Sequence, residues 1–465
     1  MSFSSLSFLF IFLPVALILY LITPKRFKNL VLLVESFLFY LWGNGEMVIL
    51  LWATILINYI IGLGIEKSKN HAKKLLWIGV ITNILILCFH KYYFYIVDFF
   101  NTNFDAGMAI PDGSLPLGIS FFIFQEISYL VDVYKKDAPA NKNFLELSTH
   151  IFMYPKITQG PIVKYKDIYQ QLSSRTLYFE NIYLGLRRFT LGLSKKVLLA
   201  DTIGEKTDMI FAQVSTGLDT PTAWLGMLCY SLQLFFDFSG YSDMAIGIAQ
   251  IMGFRFKENF NYPYIAKDIS DFWSRWHISL SMFFREYIYF PLGGNRKGEV
   301  RTYLNQFVVF FITGIWHGET LNFLVWGIYH WFFSVLGKFM KRFDWYIKTP
   351  DIFKRIFTFL VVAIGFVIFR SADLDQAMLY LSYMFNNAST AVPVFEFPYF
   401  LSNDLIFYLI IGCIFSTPIM RKIHHQYKDT KWFPWIYDIG LLLFFMLSIL
   451  FLVSGSYSPF IYFQF

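Results

Sequence analysis

Long apolar runs recur along the chain, separated by short polar stretches. Runs near 6 to 23, 29 to 43, 47 to 65, 75 to 92, 116 to 134, 222 to 250, 303 to 316, 321 to 338, 354 to 370, 405 to 420 and 436 to 454 approach the length needed to cross ~30 Å of hydrocarbon. They are continuous, whereas the strands of a membrane barrel alternate apolar and polar residues, so they predict helices. A lipid-embedded backbone must satisfy its own polar groups, which helices do. The expected fold class is therefore all-α: a polytopic membrane protein of about 11 transmembrane helices.

Composition agrees with this pattern. Apolar residues make up 56% of the chain, aromatics 21% and charged residues 15%. Lys and Arg concentrate at 24 to 28, 66 to 74 and 134 to 137, while 94 to 115 carries Asp98, Asp105 and Asp112. The positive-inside rule then places the amino terminus outside and these basic loops in the cytoplasm. The first apolar run has no basic residue before it and no small-residue cleavage site after it, so a retained helix is expected. The net charge of +7 follows from the loop bias, and a dispersed charge with no reading motif argues against nucleic acid. Cys88, Cys229 and Cys413 stand singly in apolar sequence, so neither a disulfide frame nor a metal site is expected.

One membrane domain spanning 1 to 465 is the economical organisation, and its character changes along the chain. Up to about 110 the helices are nearly pure hydrocarbon; from 115 to 330 polar and charged residues enter apolar sequence; from 350 on, apolar helices return. Intramembrane polar groups are costly and face an interior or a wet cavity, so chemistry is sought in the middle section. There, 149 to 168 is broken by Pro155, Gly160 and Pro161 and predicts a re-entrant or interfacial element. The stretch 180 to 201 carries Arg187, Arg188, Lys195 and Lys196 and predicts an interfacial helix reaching lipid headgroups. Asp373, with Gln376 three residues on, predicts a capped helix start.

The richest stretch is DISDFWSRWHISLSMFFREYIYFPLGGNRKG, 268 to 298. On a continuous helix Ser270, Ser274, His277 and Ser281 would share one stripe, like the wall of a polar tunnel. Trp276 would lie on a neighbouring apolar face, and Asp271 and Arg275, at i and i+4, would neutralise each other. The plainer alternative is an interfacial helix whose histidine bonds a carbonyl. A second histidine, His317, lies in TGIWHGE between Trp316 and Gly318, at the end of an apolar run. Two histidines flanked by tryptophan, on segments joined by LGGNRKG, can act as base and orienter on one hydroxyl. Burial favours the neutral ring that such a base needs. Gln233, Asp237 and Asp243 are embedded in 231 to 254; the carboxylates are six apart, point to different sides, and suit bonds to neighbouring helices. Glu126, in FFIFQEISYLVDVY, suits either a structural pairing or a substrate hydroxyl. His330 follows His317 beyond an apolar run and is a weaker candidate.

Several long motifs resemble those of the membrane-bound O-acyltransferases. They are LPLGISFFIFQEISYLVDVY, YPKITQGPIVKY, LFFDFSGYSDMAIGIAQIMGF, FNYPYIAKDISDFWSRWHISLSMFFREYIYFPLGGNRKG, GIWHGE and the closing SPFIYFQF. The nearest likeness is the bacterial branch typified by the alginate O-acetylation membrane protein. The resemblance covers most of the chain and is densest from Leu115 to His330; before about 110 it rests mainly on hydropathy. It implies a helical bundle with re-entrant and interfacial helices around a central tunnel, His317 as the catalytic residue of the WHG motif, and His277 as the second functional polar residue. It also implies no bound cofactor, a cytoplasmic thioester donor such as acetyl-CoA, and an acceptor at the outer face. The partners it implies are an extracytoplasmic protein with a serine hydrolase-like (SGNH) site and a polysaccharide. A D-alanyl transferase for teichoic acid, using a carrier-protein thioester, is the alternative inside the family. A transporter of polysaccharide or lipid-linked sugar is the alternative outside it, disfavoured by the lack of an inverted hydropathy repeat.

Overall fold

The computed structural model describes residues 2 to 109, 115 to 385 and 393 to 455; Asp112 and the closing motif at 458 to 465 lie outside them. Among the described residues every regular element is a helix. They form two compact units, Met1–Phe189 with Ser242–Lys257, and Thr190–Tyr241 with Glu258–Phe465.

The first unit is built around α1 (Val48–Lys67), α2 (Ala72–Phe104) and α3 (Ile119–Lys135). Small residues let these helices approach: a methyl group on Gly62 would strike the Tyr129 ring, and one on Gly79 would reach Leu130. Asn58 and Asn83 exchange amide hydrogen bonds of 3.2 and 2.7 Å between α1 and α2, a polar tie in an apolar contact. The broken segment is buried from 150 to 165. Its irregular backbone is satisfied by side chains: Tyr154 N donates to Ser36 Oγ, Tyr165 N to Ser128 Oγ and Lys166 N to Asp132 Oδ2. Protein cover therefore replaces water along a stretch that could not lie bare in lipid.

The long α4 (Thr220–Ile251) belongs to the second unit up to Tyr241 and to the first from Ser242. The second unit continues with α5 (Ile269–Trp273), α6 (Ile278–Phe284), α7 (Glu299–His317), α8 (Leu321–Met340), α9 (Asp351–Arg370), α10 (Leu374–Phe385) and α11 (Phe433–Val453). The capped start expected at Asp373 is present: Gln376 N donates to Asp373 Oδ1, while the Gln376 side chain accepts from Ala372 N. By length and composition α1, α2, α8, α9 and α11 can cross a membrane, and a sixth span results if Asn403–Phe415 and Ile419–Tyr427, bent by 61°, count as one. Other expected spans coincide with shorter or more polar helices, such as Phe8–Ile22, Ile119–Lys135 and Glu299–His317.

One expectation is corrected. The basic side chains of 180 to 201 do not all reach for headgroups. Arg188 Nη2 lies 2.6 Å from Asp243 Oδ1, within the first unit. Lys196, 1% exposed, lies 2.6 Å from Asp201 Oδ1 and 2.7 Å from Asp237 Oδ1, within the second. Burial disfavours its charge, but the carboxylates of Asp237 and Asp201 outweigh burial and raise its pKa. Asp243 and Asp237, the two acids in the apolar run of α4, thus answer two of the four cations, Arg188 and Lys196. Lys196→Met is expected to cost about 3–5 kcal/mol, because it strands two buried carboxylates. The readout is the thermal midpoint and folded yield in detergent, and an unchanged midpoint would contradict the buried triad.

Candidate active site

The geometry of the site starts with the turn from α7 to α8. A methyl group on Gly314 would stand 2.6 Å from the Phe323 carbonyl oxygen, and one on Gly327 would stand 2.5 Å from that of Phe310. Two glycines therefore bring the antiparallel helices into backbone contact, the small-residue packing that lipid-facing helices favour. The Gly318 position is equally close, since a side chain there would collide with the Phe323 ring. His317, the last residue of α7, is consequently pressed against α8 and α9. Its ring centroid lies 5.0 Å from Trp326, 5.0 Å from Phe369 and 4.6 Å from Trp316.

His277 is placed by a different device. The helix expected through 268 to 284 is broken, because α5 ends at Trp273 and α6 begins at Ile278. Between them His277 adopts φ +42°, the left-handed region that a branched-at-Cβ or bulky side chain rarely occupies. Backbone bonds fix this turn: Ile278 N donates to Asn259 O and Asn261 N to Arg275 O, both at 2.9 Å. The side chain of Asn259, fully buried, gathers the turn further. Its Oδ1 accepts from Ser279 N at 3.1 Å and Ser279 Oγ at 2.9 Å, and lies 3.2 Å from His277 Nδ1. His277 Nε2 is buried and has no hydrogen-bond partner. Burial pushes the imidazole pKa down to about 3, which leaves the ring neutral.

Both histidines line one cavity, together with Leu234, Trp273, Trp276, Leu280, Trp326, Phe366 and Phe369. It is narrow, with room for about one water molecule, and its walls are aromatic and aliphatic. The continuous hydroxyl stripe is corrected: the break at His277 rotates the two halves out of register. Ser274 is exposed and its hydroxyl donates to Asp271 O at 2.7 Å. Ser281 is half-buried and bonds His277 O through its backbone N–H. Asp271 and Arg275 do pair, at 2.7 Å, on the turn before His277. Trp276 lines the cavity and stacks on Phe272; Trp316 touches His317 from outside the lining. Gln233 is buried beside Leu234, and Asp237 belongs to the Lys196 triad. Glu126 is fully buried in the first unit and is not among the residues lining this cavity.

Sequence reasoning missed Asn259, Trp326 and the setting of His330. The His330 ring is fully buried, 4.9 Å from Trp326 and 5.3 Å from Trp273, and neither of its nitrogens has a hydrogen-bond partner. The spacing of thirteen residues from His317 hides this, since the chain reverses between them.

Residues 134 to 370, which hold every residue of this cavity, match the model of the MBOAT, membrane-bound O-acyltransferase family. The chain belongs to that family. It is 38% identical to a probable alginate O-acetylase of Pseudomonas putida over the whole of both chains. It is 34% identical to a peptidoglycan O-acetyltransferase of Helicobacter pylori, over 98% of this chain and 96% of the relative. A teichoic acid D-alanyltransferase of Bacillus subtilis is 30% identical over 54% of this chain and 68% of the relative. As a membrane-bound O-acyltransferase, the protein is a multi-pass membrane enzyme that transfers acyl groups to oxygen.

The left-handed backbone separates folding from chemistry at His277. His277→Asn, a residue that tolerates this conformation, is expected to keep the thermal midpoint, whereas His277→Val is expected to cost about 1–3 kcal/mol through strain. Thermal unfolding in detergent checks this, and equal midpoints for the two variants would count against a strained turn.

Proposed function

We propose that this membrane-bound O-acyltransferase moves an acetyl group from acetyl-CoA, engaged at the cytoplasmic face, to a hydroxyl on the extracytoplasmic side of a bacterial plasma membrane. The observation that carries the proposal is the pair of imidazoles lining one narrow apolar cavity. His317 serves as general base or as transient acyl carrier, and His277 positions the acyl carbonyl or completes the proton transfer. In direct transfer, the acceptor hydroxyl loses its proton to an imidazole as its oxygen bonds the thioester carbonyl carbon. The carbon–sulfur bond then breaks and the thiolate recovers the proton, so no cofactor or net proton is consumed. A cavity with room for about one water limits the competing hydrolysis of the thioester.

The acetyl donor is favoured because the acetylase relatives match across the whole chain, while the D-alanyltransferase matches about half of it. The polymers in their names, alginate and peptidoglycan, support a polysaccharide as the final acceptor. An extracytoplasmic hydrolase-like partner would carry the acetyl group from the membrane enzyme to that polymer. The amino terminus would face outward and the basic loops the cytoplasm, where their charge suits the phosphates of the coenzyme.

His317→Ala is expected to insert and accumulate normally while losing at least about 100-fold in transfer. The assay follows labelled acetate from acetyl-CoA to acceptor, and free thiol release, in membrane vesicles. Wild-type activity in the variant would remove the mechanism. Purified enzyme offered acetyl-CoA and a D-alanyl carrier-protein thioester side by side is expected to use the first; exclusive use of the second would reassign the donor.

A further inference from the structure

The contacts around Asn259 carry a second role for the turn that holds His277. The orientation of the Asn259 amide is settled by a group with no ambiguity: the backbone N–H of Ser279 can only donate, and it points at Oδ1 from 3.1 Å. That atom is therefore the amide oxygen. Oxygen Oδ1 is an acceptor only and lies 3.2 Å from His277 Nδ1; the Ser279 hydroxyl is farther from that nitrogen, at 3.5 Å, and gives its hydrogen to Oδ1 at 2.9 Å, so this geometry puts the hydrogen of a neutral imidazole on Nδ1. The bare lone pair is then on Nε2, the nitrogen that is buried without a hydrogen-bond partner on a ring lining the cavity. Among the described residues no charged side chain lines that cavity; its other titratable group there is His317, among leucine, tryptophan and phenylalanine side chains. The ring packs at 4.7 Å against Phe238 of α4, which offers no competing hydrogen bond.

We infer that Asn259 is a positioning residue that holds His277 in the Nδ1–H tautomer, so that Nε2 is the bare acceptor through which the proton transfer is completed. This rests on the acyl-transfer function proposed above. In direct transfer, the hydroxyl proton taken up by His317 passes to His277 Nε2, giving an imidazolium whose Nδ1–H remains bonded to Asn259 Oδ1, and then goes to the leaving thiolate. The same tautomer leaves Nε2 without a hydrogen to give, so in its resting state His277 cannot polarise the thioester carbonyl.

The test compares wild type, Asn259→Ala and Asn259→Asp in purified full-length enzyme. The first measurement needs no activity: nitrogen-15 spectra of histidine-labelled protein, with His277→Asn identifying the lost signal, are expected to show His277 protonated at Nδ1 and bare at Nε2. A ring protonated at Nε2 would overturn the inference whether or not acetyl-CoA is the donor. The second is the pH profile of acetyl transfer. Asn259→Ala is expected to lower kcat at least about tenfold at every pH with KM for acetyl-CoA little changed. Asn259→Asp keeps the acceptor oxygen but adds a carboxylate, which favours the imidazolium and raises the His277 pKa. Its rate is therefore lost as pH falls, with the acid limb about one pH unit or more above that of wild type, and recovers toward wild type at high pH. Equal losses in both variants at all pH values would mean a merely structural contact, and wild-type kcat in Asn259→Ala would refute the role outright. If the wild type transfers nothing from acetyl-CoA, the functional proposal fails while the spectra still decide the tautomer.

Discussion

The backbone contact between α7 and α8 is the constraint on which the site depends. Gly314 and Gly327 allow the helices to meet without side chains between them, and a β-carbon at either place would overlap a carbonyl oxygen of the opposite helix. Within hydrocarbon, helices gain little by hiding from solvent, so association rests on such close packing and on buried polar ties. Because the helices touch there, His317 at the end of one is held against Trp326 on the other and Phe369 on α9. A helix pair separated by ordinary side chains would carry the same WHG sequence with its imidazole drawn away from Trp326 and Phe369.

The second unit also shows how an apolar setting accommodates necessary polarity. Lys196 is tolerable because two carboxylates meet it. The His277 turn stores backbone strain and is held by Asn259 through four contacts, two from its own backbone and side-chain oxygens to the 278 to 279 backbone. His330 solves the problem differently, lying between indole rings with both nitrogens without hydrogen-bond partners. In a medium of low dielectric the Lys196 triad and the Asn259 contacts each fix one orientation strongly, since the alternative is an uncompensated polar group.

Membrane character, helical class, family and the identity of the two cavity histidines were legible from linear order, because each depends on local composition or on motifs whose residues are contiguous. The capped helix at Asp373 and the i, i+4 pair of Asp271 and Arg275 were legible for the same reason: partners one turn apart meet whatever the rest of the chain does. The serine stripe failed because periodicity assumes an unbroken helix, and the left-handed residue at 277 is stabilised by Asn259, eighteen positions away. The interfacial assignment of Lys196 failed because a basic residue in apolar sequence looks the same whether its counter-charge is a headgroup or, as here, Asp237 forty-one positions on. What only the tertiary structure decided is which distant side chains face one another: Trp326 and Phe369 on His317, Asn259 on His277, and both rings on one cavity. Such contacts are set by helix crossings that glycines permit at particular points, and nothing in the local pattern records where two helices will touch.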